Sequence, residues 1–139
     1  MLVYLNANFV IYFIERNPVW GPKVTAQLTA LLANGDQLAI SDLTRLECQV
    51  GPLMSGNTVL LSKFTTFFQS PDVRVLPLTA AVCDRAAALR AKCRFKTPDA
   101  IHLAVAIEQG QTMADWNAMG GHFTPICRRC RMVNKENQS

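Results

Sequence analysis

Short apolar segments rich in β-forming residues alternate with longer helical segments along most of this chain. Strands are expected at residues 1–5, 38–40 and 73–76, because these runs are short and lie between turn signals. The apolar spacing and capping residues predict helices at 9–15, 22–33, 42–50, 58–69, 80–92 and 98–109. Gly51 and Pro52 are expected to end the third helix. This alternation predicts a three-layer α/β/α fold with a mainly parallel central sheet flanked by helices.

Length and composition favour one folded domain. The chain has 139 residues, of which half are hydrophobic and only 17% are charged, so a real core is expected and disorder is not. No apolar run reaches the ~18 residues of a membrane-spanning helix, so no membrane partner is expected. We predict a domain at residues 1–123 and a flexible basic tail at 124–139. The tail carries four cations against Glu136, namely Arg128, Arg129, Arg131 and Lys135.

The five cysteines and the absence of a recognisable secretory signal bear on the cellular compartment. Disulfides persist mainly in oxidising compartments. The sequence therefore favours reduced thiols and a cytoplasmic protein.

Oxygen-bearing side chains lie at the edges of several predicted elements. Asn6 follows the first strand, Glu47 lies in the helix after the second strand, and Asp99 lies in the first turn of the last helix. Asp115 is a further candidate. Open parallel sheets bind ligands beyond the carboxyl ends of their strands, and Mg²⁺ prefers oxygen ligands. Each acid alone is better explained as a capping or surface residue, but together they predict a metal site.

Other features are compatible with more than one role. A basic group precedes Asp99 and could bind phosphates, although a solvated helix end fits equally well; it comprises Arg90, Lys92, Arg94 and Lys96. His102 has no recognisable Ser or Cys partner, so a packing or hydrogen-bonding role is favoured over catalysis. An aromatic group is expected to form core or a protein-contact surface rather than a platform for bases; it comprises Trp20, Phe64, Phe67 and Phe68.

Three segments, in order, resemble the motifs of PIN-domain proteins. They are YLNANFVIY at residues 4–12, SDLTRLE at 41–47 and PDAIHLA at 98–104. The resemblance extends over residues 1–110. Within this family the chain is most similar to the virulence-associated protein C group, the toxins of type II toxin–antitoxin systems.

The resemblance implies a PIN-like fold and an endoribonuclease that depends on Mg²⁺ or Mn²⁺. Its catalytic, metal-binding residues would be Asn6, Glu47, Asp99 and Asp115. Hydrogen bonds that orient these acids would come from Asn8, Ser41, Thr44 and Asn117. The basic group at 90–96 would contact RNA. The implied partners are an RNA substrate, an antitoxin protein and a second copy of the chain.

Asn6 stands where the family normally has Asp. An amide oxygen can bind a metal ion, but it brings no negative charge, so both cation affinity and cleavage rate should fall. The sequence pattern also departs from the family after Gly110, where Asp115 could supply the fourth carboxylate. The alternative function is therefore an inactive PIN-like module that binds RNA or an antitoxin.

Overall fold

Residues 2–108 and 112–113 are described by the computed structural model, and they form an α/β fold. The strands are β1 (Leu2–Tyr4), β2 (Gln37–Ser41), β3 (Val73–Leu76) and β4 (Thr112–Met113). The helices are α1 (Ala7–Ile14), α2 (Gly21–Ala33), α3 (Asp42–Ser55), α4 (Thr58–Phe68), α5 (Ala80–Cys93) and α6 (Thr97–Glu108).

The strands form one parallel sheet in the order β3-β2-β1-β4. In this register Tyr4 pairs with Ala39, and Ser41 pairs with Leu76. The carboxyl ends of β1, β2 and β3 therefore meet at one edge of the sheet. The chain enters α1 and α3 from this edge, immediately after β1 and β2.

Alternate residues of each strand supply two separate hydrophobic clusters. Tyr4 and Ala39 pack with residues of α5 and α6, whereas Leu38 and Ile40 pack with residues of α1 to α4. Since successive strand residues point to opposite faces, the two clusters lie on opposite sides of the sheet. The prediction of a three-layer α/β/α fold is therefore confirmed.

Short polar side chains begin the helices that leave the sheet edge. Asn6 is the N-cap of α1, and its Oδ1 accepts a hydrogen bond from the Phe9 backbone N–H at 2.9 Å. Ser41 and Thr44 form a capping box at the start of α3. These side chains satisfy backbone N–H groups that have no partner within the helix. The caps thus explain why α1 and α3 begin where they do.

The predicted end of α3 is wrong. The helix continues through Gly51 and Pro52 to Ser55, and it ends at Gly56, which adopts the left-handed conformation with φ +66°. Pro52 cannot donate a backbone hydrogen bond to Cys48, which destabilises a helix interior. However, Pro52 is buried, so apolar packing offsets part of that loss. Tertiary packing here overrides the local breaking signal.

The remaining predictions about chain organisation have mixed outcomes. The predicted boundary at residue 123 and the tail at 124–139 lie outside the described residues. Cys48 and Cys83 are free thiols, but Cys93 is disulfide-bonded, so the prediction of reduced thiols is wrong for that residue. Among the described residues, no helix has both the length and the apolar character needed to span a bilayer.

Candidate functional site

Three of the predicted metal-binding residues lie on helices that meet near the carboxyl edge of the sheet. Asn6 begins α1, Glu47 lies on the second turn of α3, and Asp99 lies in the first turn of α6. All three are half-buried. Such positions combine solvent access with a partly desolvated surrounding, which strengthens electrostatic attraction to a cation.

His102 joins α3 to α6 through a hydrogen bond with Glu47. The His102 Nε2 atom lies 2.6 Å from Glu47 Oε1. Asp99 precedes His102 by three residues on α6, and side chains at that spacing are neighbours on a helix surface. The carboxylate of Glu47 therefore contacts α6 at a residue that lies about one turn after Asp99.

The segment around Asn6 packs against the same part of α3. The Leu5 carbonyl accepts a hydrogen bond from Thr44 Oγ1 at 3.4 Å, and the Ala7 carbonyl lies 3.9 Å from Cys48 Sγ. Thr44 and Cys48 lie on either side of Glu47 in α3. Asn6 is thus held beside the helix segment that carries Glu47.

A chain of buried hydroxyl groups extends from His102 into the protein. Tyr4 Oη lies 2.6 Å from His102 Nδ1, 2.8 Å from Ser41 Oγ and 3.5 Å from Thr44 Oγ1. Tyr4, Ser41 and Thr44 are fully buried. Ser41 and Thr44 therefore contact Tyr4, which is linked to Glu47 through His102.

Burial strongly favours the neutral form of the Tyr4 side chain. Desolvation raises the pKa of the Tyr4 hydroxyl to about 12, hydrogen bonds with Ser41 and Thr44 oppose the rise, and the charge of Glu47 adds to it. Tyr4 therefore remains a phenol, able to donate a hydrogen bond, throughout the neutral pH range.

Cys48 lies next to Glu47 in sequence but is not suited to nucleophilic chemistry. Burial, followed by the charges of Glu47 and Glu15, raises the pKa of the Cys48 thiol to about 12. Because the thiolate is the reactive form, this cysteine is inert at neutral pH. It serves as a core residue in the cluster that includes Phe64.

The donor atoms of these residues are oxygens, the type that a hard divalent cation prefers. Mg²⁺ is usually bound by one or two carboxylates and keeps several waters, so the carboxylates of Glu47 and Asp99 and the amide oxygen of Asn6 are donors of a suitable kind. Within residues 2–108 there is no group of three or more His, Cys, Asp or Glu side chains that could hold a metal ion. Asp115 and Asn117, the other predicted members, lie outside the described residues.

The other predicted residues have simpler surroundings. Asn8 is exposed on α1. Arg90 donates from Nε to the Phe95 carbonyl at 3.1 Å, so it contributes to the turn between α5 and α6. The rest of the basic group is exposed and precedes Asp99; it comprises Lys92, Arg94 and Lys96.

Sequence reasoning overlooked Tyr4. Two signals could have identified it: Tyr4 precedes Asn6 by two residues at the end of a strand, and it is a polar aromatic residue in an otherwise apolar strand. A buried Tyr hydroxyl usually needs a hydrogen-bond partner. The expected hydrogen-bonding role of His102 is observed, and its partners are Tyr4 and Glu47.

The fold is similar to that of several toxins of toxin–antitoxin systems. VapBC2 from Rickettsia felis, bound to a DNA fragment from its promoter, aligns with a TM-score of 0.68 and 21% identity, covering 81% of this chain and 86% of that one. A toxin–antitoxin complex from Klebsiella pneumoniae aligns with a TM-score of 0.66 and 22% identity, covering 88% of this chain and 92% of that one. The sarcin–ricin loop cleaving toxin VapC20 of Mycobacterium tuberculosis aligns with a TM-score of 0.65 and 16% identity, covering 85% of this chain and 95% of that one. At these identities the likeness concerns the fold.

Sequence comparison identifies the family directly. A comparison with curated proteins found no match. The PIN domain family matches residues 3–117, which include both Glu47 and Asp99. This chain belongs to the PIN-domain family.

Proposed function

We propose that this protein is an endoribonuclease dependent on Mg²⁺ or Mn²⁺, the toxin of a toxin–antitoxin pair, with activity reduced by Asn6. The observation that carries this proposal is the 2.6 Å contact between Glu47 and His102, since His102 follows Asp99 by three residues on α6. Membership of the PIN-domain family and the likeness to toxin structures support the same function.

In this proposal Glu47 and Asp99 hold the cation, and Asn6 is a weak additional ligand. Asp115 completes the set of acids or acts through water. When bound, such a cation supplies an activated water and offsets charge on the phosphodiester. Lys92, Arg94 and Lys96 attract the RNA backbone by electrostatic contacts that do not depend on base sequence.

Asn6→Asp tests the enzymatic function directly. We expect the variant to cleave a mixed RNA pool in the presence of Mn²⁺ or Mg²⁺ at least ~10-fold faster than the protein with Asn6, because loss even of a group that only supports a ligand commonly costs 10- to 100-fold. Fragment lengths on denaturing gels and EDTA inhibition provide the measurement.

The Asn6→Asp comparison has a built-in control for folding. Asp caps a helix as well as Asn does, so α1 should keep its N-cap in both proteins. If neither form cleaves RNA while both retain the same thermal unfolding midpoint, the enzymatic proposal fails. The inactive binding module, our second candidate, is favoured in that case because restoring a negative charge at position 6 would not have restored cleavage.

An apolar groove supports the proposed antitoxin partner. It lies between α4, the end of α1 and the start of α2, and its volume is about 1110 Å³. Phe13, Pro22 and Phe67 form part of its lining. Arg16 and Lys63 also line it. An antitoxin segment with apolar anchors and flanking acidic residues would complement this surface. This role agrees with the expectation that Phe67 belongs to a protein-contact surface.

An exposed apolar stripe on α3 supports the proposed homodimer. Leu46, Val50, Leu53 and Met54 recur at helical spacing, and each is at least 46% exposed. A contiguous apolar face of this kind is unusual on a monomer surface. Two copies could bury it by a two-fold contact in which the same patch faces itself.

Leu53→Glu should weaken this association. A charge buried in an apolar interface is strongly unfavourable, so we expect the variant to elute and scatter light as a monomer at concentrations where the parent is a dimer. Val19→Glu is the matched control, because Val19 and Leu53 are both 62% exposed but Val19 lies between α1 and α2 rather than on α3. A monomeric parent, or a Leu53→Glu protein that stays dimeric, would contradict the assignment.

A further inference from the structure

We infer that His102 is a positioning residue that holds Glu47 for cation binding, and that Tyr4 in turn fixes His102. The inference rests on the proposed function, because it assigns a role within the same site. Its physical basis is a continuous hydrogen-bonded path from Ser41 through Tyr4 and His102 to Glu47.

The chemistry of the end groups determines the direction of these hydrogen bonds. An ionised carboxylate only accepts, so His102 Nε2–H donates to Glu47 Oε1. In a neutral imidazole Nδ1 then accepts, and the Tyr4 hydroxyl donates to it. The Ser41 hydroxyl can donate to the Tyr4 oxygen at 2.8 Å. Every proton in this path has an acceptor, which selects the Nε2–H tautomer of His102.

Burial makes this arrangement rigid at its inner end. Tyr4 and Ser41 are completely buried, and His102 is 5% exposed, whereas the Glu47 side chain is 31% exposed. A half-exposed Glu has several accessible rotamers and loses side-chain entropy when it is ordered. The fixed His102 N–H selects one position of Oε1 and leaves Oε2 for a cation. Residues that hydrogen-bond to a metal ligand without touching the metal commonly orient that ligand in this way.

The same contacts argue against two other roles for His102. A metal ligand needs a ring nitrogen with an available lone pair, and a general base needs one facing the substrate. Here Nε2 is engaged by Glu47 and Nδ1 by Tyr4. The ring therefore acts through Glu47 rather than on the reacting atoms.

A first experiment examines the hydrogen bond without requiring activity. The chain has two histidines, so the ring nitrogens of His102 can be assigned in a ¹⁵N NMR spectrum by comparison with His102→Gln. We expect a slowly exchanging Nε2–H and an unprotonated Nδ1 in the parent. Glu47→Ala should make that proton exchange too fast to observe. A parent in which Nδ1 carries the proton, or in which Nε2–H exchanges as rapidly as in Glu47→Ala, overturns the inference.

A second experiment measures Mn²⁺ affinity by calorimetry in the Asn6→Asp protein. We expect His102→Leu to weaken binding by roughly 10- to 100-fold. His102→Gln should stay within ~3-fold of the parent, because its amide nitrogen can donate to Glu47 in place of Nε2. Tyr4→Phe should give an intermediate loss. Ala86→Gly, a buried change on α5 that should lower the thermal unfolding midpoint because Gly disfavours a helix, controls for lost stability and should leave Mn²⁺ affinity unchanged.

The outcomes separate this inference from the proposed function. If the parent binds Mn²⁺ and His102→Leu binds it equally well, the positioning role is wrong although the nuclease proposal stands. If the Asn6→Asp parent neither binds Mn²⁺ nor cleaves RNA, both are wrong. The positioning role is supported if Mn²⁺ affinity is weakened in His102→Leu but close to that of the parent in His102→Gln, with equal fractions of folded protein.

Discussion

Asp99→Asn, introduced into the Asn6→Asp protein, is expected to lower RNA cleavage by at least ~100-fold. The change keeps shape and polarity but removes one of the two carboxylates that the described site offers to a cation. Metal-ion catalysis supplies several kcal/mol of transition-state stabilisation, and each 1.36 kcal/mol corresponds to a tenfold rate change. Initial rates on a fluorescent RNA, with Mn²⁺ varied, measure the loss.

Asp42→Asn provides a matched control for this prediction. Asp42 lies in the first turn of α3 as Asp99 lies in the first turn of α6, but it is exposed and pairs with Arg45 at 3.4 Å. Exposed ion pairs contribute little to stability, so this variant should retain its cleavage rate. Equal rates for the Asp99→Asn protein and its parent would remove Asp99 from the proposed site.

Phe64→Ala should produce the largest change in stability. Phe64 is 1% exposed in the cluster between α4 and the sheet, and its ring stacks on Phe68 with 6.3 Å between centroids. Truncating a buried Phe removes apolar burial and leaves a cavity, so the free energy of unfolding should fall by about 3–5 kcal/mol. Urea unfolding followed by circular dichroism measures this difference.

Val59→Ala on the same helix is the control, because Val59 is 66% exposed. Surface substitutions usually change stability by about 0.5 kcal/mol or less. A loss at Phe64 no larger than that at Val59 would show that α4 does not pack as described. Comparing the two variants also removes the common effect of helix propensity in α4.

Asn6 illustrates how fold and chemistry can be separated at one position. Its side chain satisfies the Phe9 N–H and so begins α1, a task that Asn and Asp perform equally well. Helix capping therefore places no demand for a charge at this position. Attraction of a cation does require a charge there, because a carboxylate brings a negative charge and an amide does not. This difference is why Asn6 can preserve the fold while impairing the proposed reaction.

Local sequence signals were sufficient for most elements of the fold. The alternation of strands and helices predicted the layered architecture, and the caps at Ser41, Asn57 and Thr79 marked helix starts that the structure contains. These signals are local because a cap or an apolar period involves residues within one or two turns. The end of α3 was missed because burial of Pro52 depends on residues distant in sequence.

The amino-acid sequence by itself determined the α/β class, most of the helix starts and the family resemblance. Only the tertiary structure decided how Tyr4, His102 and Glu47 meet, because His102 lies 98 residues from Tyr4 and 55 from Glu47. No periodicity or spacing rule reaches across such separations. The parallel register of β1 and β2 and the packing of α6 against the sheet set these contacts, and a hydrogen bond requires its atoms to be placed within tenths of an ångström.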